Sequence, residues 1–99
     1  MRDIAGREIK VGDVLFGATD SGGATGYKVV LWQEGGYYYA WDVERWWTGD
    51  WKPSEKGSWR GGDSQDLLVE PHQIPDAVRA AIQSVPTNVP PPPEWVGRK

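Results

Sequence analysis

The 99 residues carry a formal net charge of −3 and include seven tryptophans, one histidine and no cysteine. The length fits one domain, and the lack of cysteine excludes disulfides and thiolate metal sites. The negative charge argues against a surface for duplex nucleic acid, and no apolar run is long enough to span a membrane. We therefore expect a cytoplasmic protein that needs no metal or cofactor.

Short apolar runs alternate with glycine-rich turns over the first 70 residues, which is typical of antiparallel β-structure. A first strand is predicted from Val14 to about Thr19, and a second from Tyr27 to Gln33 after a loop over residues 21–26. Gly35-Gly36 then supplies the positive-φ positions of a tight hairpin. Alternation would place Tyr27, Val29 and Leu31 on one face of the second strand, and Lys28, Val30 and Trp32 on the other.

The third predicted strand begins at Tyr37 and ends at about Arg45. Its odd positions are the more apolar, so we expect them to face the core, while the even positions, including Asp42 and Glu44, form the solvated side. Residues 46–65 hold four tryptophans but also several glycines and a proline, so they are predicted to form a long loop with only a short strand around Trp59. The segment 66–70 is the last predicted strand.

A helix is predicted over about 75–85, because Pro75 suits its first turn and an apolar stripe follows at i, i+3, i+4 and i+7. The stripe consists of Val78, Ala81, Ile82 and Val85. Such a short helix must pack on the sheet to be stable. The chain then divides into a β-barrel (1–72) containing the Trp-rich loop 46–65, a packing helix (73–86) and a proline-rich tail (87–99) of polyproline II character.

The segment from Asp3 to Leu15 resembles the D-x-x-G-x-x-I-x-x-G-D-x-V opening of small SH3-like β-barrel proteins, many of them encoded by phages. The motif makes a turn and then starts the first strand. The resemblance implies a mainly β fold, an SH3-like antiparallel barrel of about five strands, and a small accessory protein of a phage or mobile element. It implies no catalytic residues, because the resemblance specifies a fold rather than a function.

The tryptophans either fill a small core or form a contact surface. Trp41, together with Trp32 or Trp59, is expected in the core. Adjacent Trp46 and Trp47 cannot both point inward from a strand, so they are candidates for exposure, although purely structural packing of a long loop remains the alternative. The predicted partner-binding residues are Arg45, Trp46, Trp47, Trp51, Lys52, Trp59 and Trp95.

Catalysis has little support in the sequence, since His72 is the only histidine and the Asp42 and Glu44 pair fits a solvated strand face. Mixed charges around an aromatic centre are typical of protein or peptide contacts. We therefore expect a non-catalytic module that binds and modulates a host protein. The alternative is a carbohydrate-binding module that uses the same rings as stacking platforms. Trp95 at the end of the proline arm could also dock on the aromatic surface of its own or a second copy, which would allow self-association through the tail.

Overall fold

The computed structural model describes residues 1–18, 25–61 and 63–94, and these contain five β-strands and one α-helix. The elements are β1 (Val14–Ala18), β2 (Thr25–Glu34), β3 (Tyr37–Arg45), β4 (Trp51–Gly61), β5 (Leu67–Val69), a 3₁₀ turn (Pro71–Gln73) and α1 (Asp76–Gln83). The helix lies within the range predicted for it.

The strands form one antiparallel sheet in the order β4-β3-β2-β1-β5. Strands β1 to β4 each pair with their neighbour in sequence, and β5 returns to pair with β1. The predicted mainly β fold with a single C-terminal helix is thus confirmed. The predicted barrel is not formed, because in the described part of the chain β4 and β5 are the two edges of an open sheet.

The tight hairpin between β2 and β3 is confirmed. Gly35 and Gly36 have φ values of 56° and 83°, a region that is accessible to glycine without a steric penalty. This turn fixes the register, in which Glu34 pairs with Tyr37 and Gln33 with Tyr38. The bounds of β3 are those expected from the sequence.

The predicted long loop over residues 46–65 is wrong for residues 51–61, which form the eleven-residue strand β4. This strand pairs with β3 from Trp51, opposite Arg45, to Gly61, opposite Tyr37, with an irregularity between Trp41 and Val43. Pro53 is compatible with a strand here because β4 lies at the edge of the sheet. At an edge, the missing N–H of proline need not interrupt the hydrogen bonds between strands.

One face of the sheet packs against α1 and is here called the helix-side core. Its buried residues are Val29, Tyr39, Trp41 and Val43 from the sheet, Val78 and Ala81 from the helix, and Val85, two residues beyond the end of the helix. The odd positions of β3 therefore face a core, as predicted. Val89 of the tail also packs against this cluster, half-buried, so the chain stays on the sheet beyond the helix.

The opposite face carries a second cluster, the N-terminal-side core, which consists of Ile9, Leu15, Val30, Tyr38 and Ala40. The prediction that the even positions of β3 form a solvated face is therefore wrong. Even Asp42, on the same face, is only 5% exposed. The N-terminal segment that contributes Ile9 covers this face, and the alternation within β3 could not reveal it.

The N-terminal segment is held by the buried carboxylate of Asp3. This carboxylate accepts backbone N–H hydrogen bonds from Ala5 (3.0 Å), Arg7 (2.7 Å) and Leu68 (2.8 Å). The Arg7 guanidinium lies 2.9 Å from it and donates a further bond to the Leu68 carbonyl. The first turn of the chain is thereby fastened to β5.

A buried ion pair crosses the same face of the sheet. Lys28 is fully buried, and its Nζ lies 2.7 Å from Asp66 Oδ2 and also donates to the Ala18 carbonyl. Asp66 reaches this position across Gly17, where a Cβ atom would overlap its carboxylate. The pair ties β2 to the segment that leads into β5.

Candidate partner-binding surface

The two adjacent tryptophans lie in the turn that joins β3 to β4. The Trp46 N–H donates to the Asp50 carbonyl and the Gly49 N–H to the Trp46 carbonyl, each at 2.8 Å. Gly49 has a φ of 90°, which a β-branched or bulky residue would adopt only with strain. The local sequence therefore closes a compact turn and places both indole rings at the tip of a long hairpin.

Trp47 is the most exposed large apolar side chain in the described part of the chain, at 92%, and Trp46 is 42% exposed. Lys52 Nζ lies 5.5 Å from the centre of the Trp46 ring, a cation–π contact across the hairpin. Arg45 is exposed at the end of β3. We call these four residues (Arg45, Trp46, Trp47 and Lys52) the hairpin-tip surface.

Trp51 is placed differently from the two turn tryptophans. Its ring packs edge-on against Tyr27 at 5.4 Å, and Tyr27 packs in the same way against Phe16 at 5.0 Å. Trp51 is half-buried and contacts the helix-side core. Its contribution is therefore largely to the fold, and it adjoins the hairpin-tip surface rather than belonging to it.

A groove of about 310 Å³ opens beside Trp46. It is lined by Asp42, Glu44, Trp46, Ser54, Glu55, Lys56, Gly57 and Ser58. Glu44 Oε1 is buried and has no hydrogen-bond donor within the described residues. Three carboxylates and one lysine give the groove a negative balance, so its chemistry suits a basic side chain held next to an indole ring.

The remaining predicted site residues do not join this surface. Trp59 lies near the other end of β4, where its ring packs against Tyr39 at 5.4 Å in the helix-side core. Trp95 and its predicted docking fall outside the described residues. The sequence did not single out the acidic groove as a binding feature, although two of its carboxylates, Asp42 and Glu44, were visible on one face of β3.

The acidic side chains and the histidine of residues 1–18, 25–61 and 63–94 do not assemble a metal site. No group of three His, Cys, Asp or Glu side chains in these ranges could hold a metal ion. His72 is exposed in the 3₁₀ turn after β5. The helix of the described chain is also too short and too polar to cross a bilayer.

No family model, curated protein or solved structure matches this chain.

Proposed function

We propose that this chain is a non-catalytic protein-binding module that contacts its partner through the hairpin-tip surface. The observation that carries the proposal is the exposure of Trp47 at 92% beside the partly exposed Trp46. An exposed ring contributes little to folding, whereas its burial in a partner would remove roughly 200 Å² of surface from water. Tryptophan is enriched among the residues that dominate binding energy at protein interfaces.

The charges around the two rings support a protein partner. Arg45 and Lys52 lie on the tip, while Glu44 and Glu55 line the adjoining groove. An apolar centre with a rim of both charge signs is typical of protein interfaces, and a basic groove would be expected for single-stranded nucleic acid. A basic side chain of the partner would be accommodated between Trp46 and Glu44.

A second part of the proposal concerns the fold family and the biological role, and it rests on the N-terminal motif and the strand order. We propose that the open sheet is related to the SH3-like fold by its strand order, and that the protein is an accessory factor of a phage or mobile element that modulates a host protein. Five antiparallel strands with β5 beside β1 support the fold assignment. The motif segment is the part that anchors the chain to β5 through Asp3.

The hairpin-tip proposal predicts that Trp47→Ala abolishes partner capture without harming the fold. The free energy of unfolding should change by no more than about 0.5 kcal/mol, since the ring is exposed. Affinity capture from a host lysate, quantified by mass spectrometry, should show proteins retained by the wild type and lost with Trp47→Ala. Ile4→Ala, which removes an exposed apolar side chain of the N-terminal segment, outside the hairpin tip, is the matched control and should retain them.

Equal capture by the wild type and Trp47→Ala would contradict the proposal. The carbohydrate alternative has its own readout, which is a change in tryptophan fluorescence on titration with polysaccharides. A saturable fluorescence change that disappears in Trp47→Ala would indicate that the hairpin-tip surface binds a glycan rather than a protein.

A further inference from the structure

A second groove, of about 600 Å³, lies at the end of the sheet away from the hairpin tip. One side is formed by strand residues, which are Leu31, Trp32, Glu34 and Trp59, and the other by the tail residues Thr87, Val89, Pro90, Pro91 and Pro92. Glu34 is exposed and is the only charged side chain among the described residues that line the groove. The groove is therefore an apolar cleft with one negative charge beside it.

The register of the sheet separates this groove from the hairpin tip. Trp32 pairs with Tyr39, and Tyr39 with Trp59, so the three residues form one row across β2, β3 and β4. Arg45 and Trp51 pair at the opposite end of β3 and β4. A strand advances about 3.3 Å per residue, so the row lies roughly 20 Å from the tip. The tip and the groove of one chain cannot touch, and any contact between them joins two molecules.

Trp32 gives the groove an accessible aromatic wall. The strand has an extra residue at Leu31, so Trp32 pairs with Tyr39 and lies on the face of the sheet that carries it. The Trp32 side chain is 49% exposed. A second indole ring can therefore pack against it, and aromatic pairs of this kind are favoured beyond the area that they bury.

Trp47 is the side chain best placed to enter such a cleft, because it is 92% exposed. The turn that carries it is closed by two hydrogen bonds, from the Trp46 N–H to the Asp50 carbonyl and from the Gly49 N–H to the Trp46 carbonyl. The ring is thus presented on a narrow, hydrogen-bonded turn. Such a turn loses little conformational freedom when it enters a groove, which lowers the cost of association.

Charge complementarity favours the same pairing. Arg45 is exposed beside the turn, on the helix side of the sheet. Glu44 lines the acidic groove on the other face, and the exposed Lys52 offsets the charge of Asp50 in the turn. The helix side of the tip therefore presents a guanidinium, which suits the carboxylate of Glu34 beside the groove.

The small size of the contact sets its strength. Stable interfaces between proteins bury about 1,200–2,000 Å² in total, whereas one indole ring removes roughly 200 Å² from water. A single tip in a single groove falls below that range. We therefore expect weak association, with a dissociation constant on the order of 100 μM.

We propose that the hairpin tip of one copy docks in this groove of a second copy, with the Trp47 ring against Trp32 and with Arg45 near Glu34. The inference rests on the proposed role of the hairpin tip as a binding surface, and it names a second copy as the regulator of that surface. The two surfaces differ, so the contact is head to tail and would build rings or open chains of copies. A docked Trp47 is unavailable to another partner, so self-association would limit partner capture at high concentration.

The test is sedimentation velocity of the full-length chain from micromolar to millimolar concentration. The mean mass of the wild type should rise with concentration. Trp47→Ala and Trp32→Ala should each remain monomeric, because each lacks one half of the contact. An equimolar mixture of the two variants should form a heterodimer and nothing larger, because one intact tip and one intact groove remain between them.

A charge exchange gives a second test that leaves both rings in place. Glu34 and Arg45 are exposed, so Glu34→Lys and Arg45→Glu should keep the fold, and each should weaken association about tenfold. The double variant Glu34→Lys/Arg45→Glu should recover the association, since opposite charges meet again with their places exchanged. Recovery would support the contact even if Trp32→Ala does not fold, and a double variant as weak as the single ones would contradict it.

Three outcomes of the sedimentation experiment would overturn the proposal. A wild type that stays monomeric at millimolar concentration has no such contact. Association that is lost in only one of Trp47→Ala and Trp32→Ala, or in neither, would show that the tip and the groove do not bind each other. A mixture of the two variants that stays monomeric while the wild type associates would likewise exclude a head-to-tail contact.

Capture from a host lysate, with the chain at a concentration far below its self-association range, separates this inference from the proposed function. A wild type that stays monomeric, and whose partner capture is lost in Trp47→Ala, would overturn the self-association alone. A wild type that associates as expected, but captures the same proteins as Trp47→Ala, would overturn the host-partner proposal alone.

Discussion

Replacing Lys28 with methionine is expected to lower the free energy of unfolding by about 3–5 kcal/mol, because the change leaves the buried Asp66 carboxylate without its counter-charge. The lysine is fully buried and lies 2.7 Å from that carboxylate. A small domain has a total stability of roughly 5–15 kcal/mol, so this single contact accounts for a large share. Urea denaturation followed by tryptophan fluorescence would measure the loss.

The double variant Lys28→Met/Asp66→Asn is the control for this prediction. It removes both charges while it keeps the shape of residue 66, so it should be clearly more stable than Lys28→Met alone. The wild type should also lose little stability in 1 M salt, since the pair is shielded from solvent. A loss below about 1 kcal/mol in the single variant, or no recovery in the double one, would contradict a desolvated ion pair.

Asp3→Asn is expected to destabilise the protein by about 2–3 kcal/mol at pH 7, since hydrogen bonds to a charged acceptor are stronger than those to a neutral one. Burial alone would raise the pKa of Asp3, but the backbone N–H groups of Leu68 and Arg7 and the Arg7 guanidinium outweigh it, so the pKa lies below its ordinary value of 3.8. The charged form is therefore favoured by folding.

The direction of the pKa shift of Asp3 determines how the free energy of unfolding depends on pH. The contribution of Asp3 is fully present above its unfolded pKa, near 3.8, and is lost as pH falls through the lower pKa of the folded state. The stability difference between the wild type and Asp3→Asn should thus shrink below about pH 4, as measured by urea denaturation at several pH values. Asp13→Asn is the matched control, since within the described residues that carboxylate accepts one bond, from the Lys10 N–H, and its loss should cost about 1 kcal/mol or less at pH 7. A difference that stays constant down to pH 2 would contradict the prediction.

The sequence predicted the elements whose signals are local. Gly35-Gly36 marked the hairpin, alternation marked β3, and the apolar stripe after Pro75 marked α1. Strand β4 was missed because its glycines were interpreted as signs of a loop. In the sheet, a Cβ on Gly57 would lie 2.6 Å from the Tyr39 ring, and one on Gly61 would overlap the Tyr37 ring. Glycine is needed there because tyrosines of β3 lie across the strand.

The burial of both sheet faces could not be read from any single strand. The alternation in β3 shows which face is more apolar, but Tyr38 and Ala40 are covered by a segment about thirty residues away that includes Ile9. The Lys28–Asp66 pair likewise depends on β5 returning beside β1. Long-range pairing of this kind follows from the topology of the whole chain.

The candidate site was foreseen in part. The exposure of at least one of Trp46 and Trp47 followed from their adjacency, and both proved to lie in a turn. Trp51 and Trp59 were grouped with them because all four are close in sequence. In the structure, however, Trp59 lies near the far end of the eleven-residue strand β4, away from the turn. A bulge at Leu31 places Trp32 on the face of the sheet that carries Tyr39, and no local feature of the sequence marks this bulge.

The two cores have a consequence for how this small domain opens. They lie on opposite faces of the same strands, and β2 and β3 contribute residues to both. Detaching the helix leaves β3 still covered by the N-terminal segment, and detaching that segment leaves it covered by the helix. Water can reach the backbone of β3 freely only when both layers have separated, so solvent exchange of its amide hydrogens would report the unfolding of the whole molecule.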